Sequence, residues 1–493
     1  MTIAADRGTR IDRPPLATVP VFSAIAFLVV LLTATSQWYG YHRDELYFLM
    51  LRPAWGYVDQ PPLTPLIARL FHGIAGEPWA LRIPATICAA VALFVLVQLT
   101  REFGGGRRPQ VLSAWGYVTA AFPLVMEHIF LTSTIDLVVW PAVCLFVARA
   151  LLREEPRWWL AVGVLVGLSM YNKLLIAMLL AGIVIGLLAV GPRRVLLSRH
   201  VLAGAAIALL IGLPNLIYQA TNGWPQVAMG RALADANAAE VRVLMWPFLI
   251  LLVGPPLTAV WITGVVALFR RPQWRPARAL AVALPVVVLL TFAAGSQFYY
   301  PLGLVLALFA VGCVPVGEWL VNRTRQIWAV VLVAVNGVVS ALIALPLVPV
   351  GVVGNTPIPG INQTAGDTVG WPTYVDQIAT AFAATDRDRT VVIAGNYGEA
   401  GAVARFGPDV GIPAVYSGHN ELWYAAAPPD PATDALLVGV GSAAEGLFQS
   451  CRQVGELDNL VGVDNEEQGN RVVYCVGRTD SWEALWPAFR HLD

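Results

Sequence analysis

The sequence predicts a polytopic α-helical membrane protein of about eleven spans over residues 1–350, followed by an extracytoplasmic α/β domain over residues 351–493. Three observations carry that prediction. The chain is 57% hydrophobic and only 13% charged, with a mean hydropathy of +0.64, against about 25% charged residues in soluble domains. Its apolar residues fall in runs long enough to cross a hydrocarbon core of about 30 Å. Its arginines gather in alternate connections between those runs.

In chain order the expected spans cover 16–36, 79–100, 110–126, 136–152, 158–171, 174–190, 201–218, 243–269, 279–295, 301–320 and 326–350. The first follows Arg7, Arg10 and Arg13 and is too long for a signal-peptide core, so it reads as an uncleaved span. The basic connections are the N-terminus, 101–108, 153–157, 193–199, 270–278 and 323–325. By the positive-inside rule these are cytoplasmic, which places the N-terminus inside and the C-terminus outside. The connections 38–77, 127–135 and 219–242 are then external loops. Beyond residue 351 hydropathy falls, and 390–394 and 435–440 each read as a strand entering a glycine turn and a helix. Neither turn fits a dinucleotide fingerprint, so both read as structural. A net charge of zero with acids concentrated near the C-terminus excludes a nucleic-acid partner.

The first polar interruption is the stretch 38–70, WYGYHRDELYFLMLRPAWGYVDQPPLTPLIARL. Arg43, Asp44 and Glu45 follow directly on the first span, and Asp59 precedes Pro61-Pro62. Asp44 has two readings: a cap of the helix that ELYFLML would form, or a general base at the membrane surface. Asp59 is either a turn residue or a second functional acid. Lys173 is the chain's single lysine, and near lipid it either snorkels or holds an anion. Cys88, Cys144 and Cys313 lie in apolar runs, whereas Cys451 and Cys475 lie in the tail, where an extracytoplasmic location would permit a disulfide. His42, His72 and His128 show no metal-ligand spacing.

The segments HRDELYF and VDQPPL resemble the first external loop of GT-C glycosyltransferases, in particular protein O-mannosyltransferases and lipid A aminoarabinose transferases of glycosyltransferase family 39. The resemblance implies inverting sugar transfer from a polyprenyl-phosphate donor to a cell-envelope acceptor, within membrane lipid at the outer face of the plasma membrane. It implies catalytic roles for Asp44, Asp59 and Glu45, with orienting the loop as the alternative for Glu45, and donor-phosphate contacts from Lys173, Arg82 and Arg43, with bridging the loop acids as the alternative for Arg82. Tyr299 and Tyr300, in QFYYP, and Trp224 and Arg231, in the 219–242 loop, resemble family positions lining a lipid or sugar groove. Asp136 falls on a family position and reads here as a helix cap. No cofactor is implied with certainty; some GT-C enzymes use a divalent cation, and its ligands here are unassigned. Gln60 and Gln297 stand where relatives often carry a basic residue. Two competing classes remain: a transporter or lipid-handling protein without chemistry, which predicts repeated halves that the sequence lacks, and a degenerate family member acting as a binding module, which Gln60 and Gln297 keep open.

Overall fold

The computed structural model describes residues 11–295 and 297–492; Arg7 and Arg10 of the basic N-terminus lie outside them. Among the described residues, seven helices are long and apolar enough to cross a membrane. Helices of eight residues or more are numbered here. The seven spans are α1 (Thr18–Thr35), α4 (Ile83–Glu102, reached through a short turn from Pro78), α7 (Thr132–Leu152), α10 (Arg199–Thr221), α13 (Ala279–Ala294), α14 (Leu302–Trp319) and α15 (Arg323–Ala344). Between them lie the loop helices α2 (Arg43–Met50) and α3 (Leu63–His72), the broken pair α5 (Arg107–Val118) and α6 (Ala121–His128), and the shorter apolar helices α8 (Trp158–Ser169) and α9 (Ile176–Ala189).

Two expected spans differ from simple rods. Residues 110–126 are divided at Thr119-Ala120, where Pro123 enters the first turn of α6. Residues 243–269 are the halves of α11 (Pro225–Leu251) and α12 (Pro255–Arg270), bent by 90°. Gly254, at φ +93°, and the following Pro255-Pro256 make that break. The supposed loop 219–242 is therefore mostly helix. As a connection between apolar runs it read as a loop, but Pro225 starts a helix well and the alanine-rich ALADANAAE continues it.

Three of the basic connections, the N-terminus, 101–108 and 153–157, meet at one end of the bundle. Glu102 is buried there among Arg13, Arg149 and Arg153, at 3.1, 2.8 and 3.0 Å. At the other end sits the C-terminal unit, with α16 (Trp371–Ala383), α17 (Tyr397–Phe406) and a five-stranded sheet in the order β2-β1-β3-β5-β4. Strand β1 (Thr390–Ala394) pairs in parallel with β2 (Val415–Ser417) and β3 (Asp434–Val438). Strand β5 (Arg471–Arg478) runs antiparallel to β3 and to β4 (Phe448–Glu456). A disulfide joins Cys451 to Cys475 across β4 and β5. The first glycine turn leads into α17 as the sequence predicts; the second leads only into a short 3-10 turn, Ser442–Leu447, before β4.

Helix α17 rests directly on loop helix α2, and two glycines permit the approach. A Cβ at Gly398 would stand 3.1 Å from Arg43 Cβ, and one at Gly401 would stand 2.7 Å from Leu46 Cβ. The glycine-rich motif thus serves to dock this unit on the loop. Gly401→Val is expected to cost about 1–3 kcal/mol through overpacking, read as a lowered thermal midpoint of the purified protein, whereas Gly360→Ala, in open space, should leave the midpoint unchanged.

Candidate functional site

The site starts from the cap of α2. His42 adopts an extended backbone, and its Nδ1 accepts from Asp44 N at 3.2 Å, while His42 N donates to Glu45 Oε2 at 2.9 Å. The free N–H groups of the helix are met by His42 and Glu45. Asp44 is therefore not the cap, and its carboxylate is available for other work.

Successive helical residues point about 100° apart, and Arg43, Asp44 and Glu45 accordingly face three surroundings. Glu45 turns into the membrane bundle and is fully buried. Its carboxylate accepts from Arg82 Nε at 2.9 Å, Arg82 Nη2 at 2.8 Å and Phe130 N at 3.1 Å. Arg82 is equally buried and also donates to Ser36 O and Gly40 O, each at 2.7 Å. Arg82 thus bridges to a loop acid, Glu45 orients the loop, and neither side chain is exposed. Arg43 turns to the C-terminal unit, where it ion-pairs with Glu466, lies 4.0 Å from Glu467 and covers the ring of Tyr397 at 4.7 Å. Its charge is thus met by protein acids.

Asp44 is the partly exposed member of the three. Its Oδ1 accepts from the hydroxyl of Tyr397 at 2.9 Å. The Tyr397 ring lies 4.8 Å from that of Tyr47, whose hydroxyl donates to Asp59 Oδ1 at 2.9 Å. Glu421 completes the group: its backbone N–H donates to Tyr47 at 3.3 Å, and its Oε2 accepts from Val58 N at 2.9 Å. Burial raises the Asp59 carboxyl to about 7, with the charges of Glu421 and Asp44 adding to the rise while the Tyr47 hydrogen bond opposes it.

The loop is tied to Lys173 through a second chain of contacts. Leu63 N donates to Tyr171 O at 2.9 Å, and Thr64 Oγ1 donates to Asn172 Oδ1 at 2.6 Å. Asn172 Nδ2 in turn donates to Asp136 Oδ1 at 3.1 Å. Helix α7 begins at Thr132 behind Leu131, so Asp136 lies in its second turn and is not the cap the sequence suggested. Lys173 Nζ sits over the ring of Tyr300 at 4.8 Å and makes no ion pair among the described residues. Lys173, Asp136, Ser133, Tyr299 and Tyr300 line a cavity of about 20 Å³, room for roughly one water. Burial raises the Tyr299 phenol, and the nearby Lys173 opposes that rise.

Other expected residues lie elsewhere. Trp224 and Arg231 are exposed at and beyond the start of α11, with no hydrogen bond or ion pair to the Asp44–Asp59 group. His72 meets the hydroxyl of Tyr41, and His128 meets Thr35 O. Among the described residues, no group of three or more His, Cys, Asp or Glu is arranged to hold a metal ion.

The chain is thus a helical bundle with a bent span, whose first loop is completed by a small sheet domain. Residues 59–218 match the family model for dolichyl-phosphate-mannose-protein mannosyltransferases, a stretch that begins at Asp59 and leaves out Asp44. ArnT from Cupriavidus metallidurans, solved with undecaprenyl phosphate and in the apo state, has the same fold at TM-scores of 0.60 and 0.61. Each comparison has 14% identity and covers 93% of this chain and 98% of that one. The archaeal oligosaccharyltransferase AglB from Archaeoglobus fulgidus is a more distant likeness, with 12% identity over 78% of this chain and 63% of that one at a TM-score of 0.47. No curated protein sequence matches.

Two variants test the geometry. Glu45→Gln leaves Arg82 buried without its counter-charge and should cost about 3–5 kcal/mol, seen as a large fall in thermal midpoint. For Asp59, the native state binds its proton more tightly than the unfolded chain, so stability falls as pH rises from about 4 to the native value near 7 and is flat above. Asp59→Asn removes that loss. Its thermal midpoint relative to wild type should therefore be higher at pH 8 than at pH 4; an equal offset at both would show that Asp59 titrates normally.

Proposed function

We propose that the protein transfers a sugar from a polyprenyl-phosphate donor to a cell-envelope acceptor at the outer face of the plasma membrane, with inversion at the anomeric carbon. The observation that carries this reading is the release of Asp44 from the cap, so that a partly exposed carboxylate is held by one hydrogen bond beside Tyr397. The mannosyltransferase family match and the undecaprenyl phosphate in the ArnT structure support the donor class. The meeting of three basic connections opposite the site, with a disulfide in the C-terminal unit, supports an external site. On this reading residues 1–350 form the membrane domain and 351–493 the external one.

Asp44 accepts the proton of the acceptor hydroxyl as that oxygen attacks the anomeric carbon. The bond from the anomeric carbon to the phosphate oxygen breaks, and its electron pair leaves with the polyprenyl phosphate. Lys173 is the cation for the charge that grows there. Asp59, its carboxyl raised to about 7 by burial, hydrogen-bonds the acceptor and holds it beside Asp44. An apolar cleft of about 380 Å³, lined by Trp55, Pro62, Leu63, Leu66 and Tyr171, lies between the Asp59 turn and the approach to Lys173 and receives the start of the polyprenyl tail.

The test is release of polyprenyl phosphate by protein reconstituted in lipid with polyprenyl-phosphate mannose or arabinose. Asp44→Asn should lower turnover by about a hundredfold or more, as for a lost general base. Lys173→Met should do the same through lost charge stabilisation, also by about a hundredfold. Turnover unchanged in Asp44→Asn would remove it as the base, and a wild type that binds these lipids without turnover would contradict transfer from either donor.

A further inference from the structure

A second groove, far from Asp44, has a volume of about 1020 Å³ and runs between α1, α5 and α15. Its walls are apolar, with Phe27, Leu31, Trp115, Val330, Val333 and Val338 among them. It stays open because α15 stands away from α5. The buried residues of α15 are Asn336, Ser340 and Ala344, a single stripe, and Asn336 fixes it by donating to Thr119 O at 2.7 Å and Val253 O at 3.1 Å.

Arg107 and Arg108 line one end of this groove. Both are exposed, and neither makes an ion pair or hydrogen bond with a described residue. Nearby arginines are engaged: Arg149 and Arg153 by Glu102, and Arg101 by Gln98 and Pro14 O. Arg107 and Arg108 also open α5 with no acid in its first turn, where the helix dipole disfavours a cation. Unneutralised cations at the end of an apolar channel between membrane helices complement a molecule with one anionic head and a long apolar tail.

Helix α4 runs about 30 Å from the Arg82–Glu45 pair to Glu102, just before Arg107. The basic end of the groove therefore faces the membrane surface opposite Asp44. Along α15 the lining extends from Gln326 to Ala341, about 22 Å at 1.5 Å per residue. That length suits an acyl chain and is overrun by a long polyprenyl chain. We infer that the groove holds one anionic diacyl phospholipid from the leaflet opposite the candidate site, its phosphate between Arg107 and Arg108 and an acyl chain along α15. Basic pockets between membrane helices take anionic headgroups in this way.

Native mass spectrometry of the delipidated full chain, titrated with phosphatidylglycerol, phosphatidylcholine or undecaprenyl phosphate, tests the inference without reference to sugar transfer. One phosphatidylglycerol should be retained about tenfold or more over phosphatidylcholine, since each arginine attracts an anionic headgroup. The double variant R107Q/R108Q should lose that preference. Ala334→Trp, which fills the groove and spares the arginines, should lose retention altogether. Equal retention of the two phospholipids, or a preference that survives R107Q/R108Q, would overturn the proposal. So would undecaprenyl phosphate displacing phosphatidylglycerol from wild type but finding no place in Ala334→Trp, because the groove would then belong to the polyprenyl lipid.

Discussion

The buried pair of Glu45 and Arg82 is the constraint on which the candidate site depends. Its hydrogen bonds reach the end of α1 at Ser36, the turn at Gly40, the cap of α2 at His42 and the connection after α6 at Phe130. Two charges taken out of water carry a desolvation cost that their attraction does not reliably exceed. What the pair supplies is position: one carboxylate with several donors fixes the rotation of α2 about its axis. With Glu45 inward, Asp44 must lie about 100° away, toward the partly open face it shares with Tyr397.

The C-terminal unit completes the site as well as covering it. Tyr397 reaches Asp44 from the first turn of α17, and Glu421 reaches both Tyr47 and the backbone before Asp59. The carboxylates of Asp44 and Asp59 are thus joined through two tyrosines, one from each part of the chain. Docking depends on Gly398 and Gly401 and on Arg43, which offers its guanidinium to Glu466, Glu467 and the Tyr397 ring. The loop is held between two folded bodies, the preorganisation that the proposed general-base chemistry would need.

Much of this was legible in the sequence because bilayer-length apolar runs and arginine placement are local signals. The helical stretches and the strand, turn and helix of 390–406 follow from such signals. Local reading failed where a residue or segment was read without its surroundings. The alanine-rich segment after Trp224 looked like a loop, and Asp136 looked like a cap, yet Leu131 and Thr132 start that helix. Asp44 was visible as a candidate, and helix geometry already turned Glu45 a different way, but the partners that hold the two apart were not visible. That distinction rests on His42 acting as cap and on Arg82, 37 residues away. Tyr397 and Glu421 were missed for the same reason: they meet their partners across 353 and 374 residues, and a single sequence carries no signal that pairs such positions.

The central claim is that two adjacent carboxylates have separate work, Asp44 in chemistry and Glu45 in placing it. The direct measurement is polyprenyl-phosphate release per folded molecule in Asp44→Asn and Glu45→Gln, with the folded fraction fixed by size-exclusion recovery at low temperature. The account predicts that Asp44→Asn keeps the wild-type folded fraction and loses turnover. It predicts that Glu45→Gln loses most of its folded fraction while the remaining folded molecules turn over within a few-fold of wild type. A stable Glu45→Gln protein with no turnover, beside an Asp44→Asn protein that still turns over, would reverse the roles and contradict it.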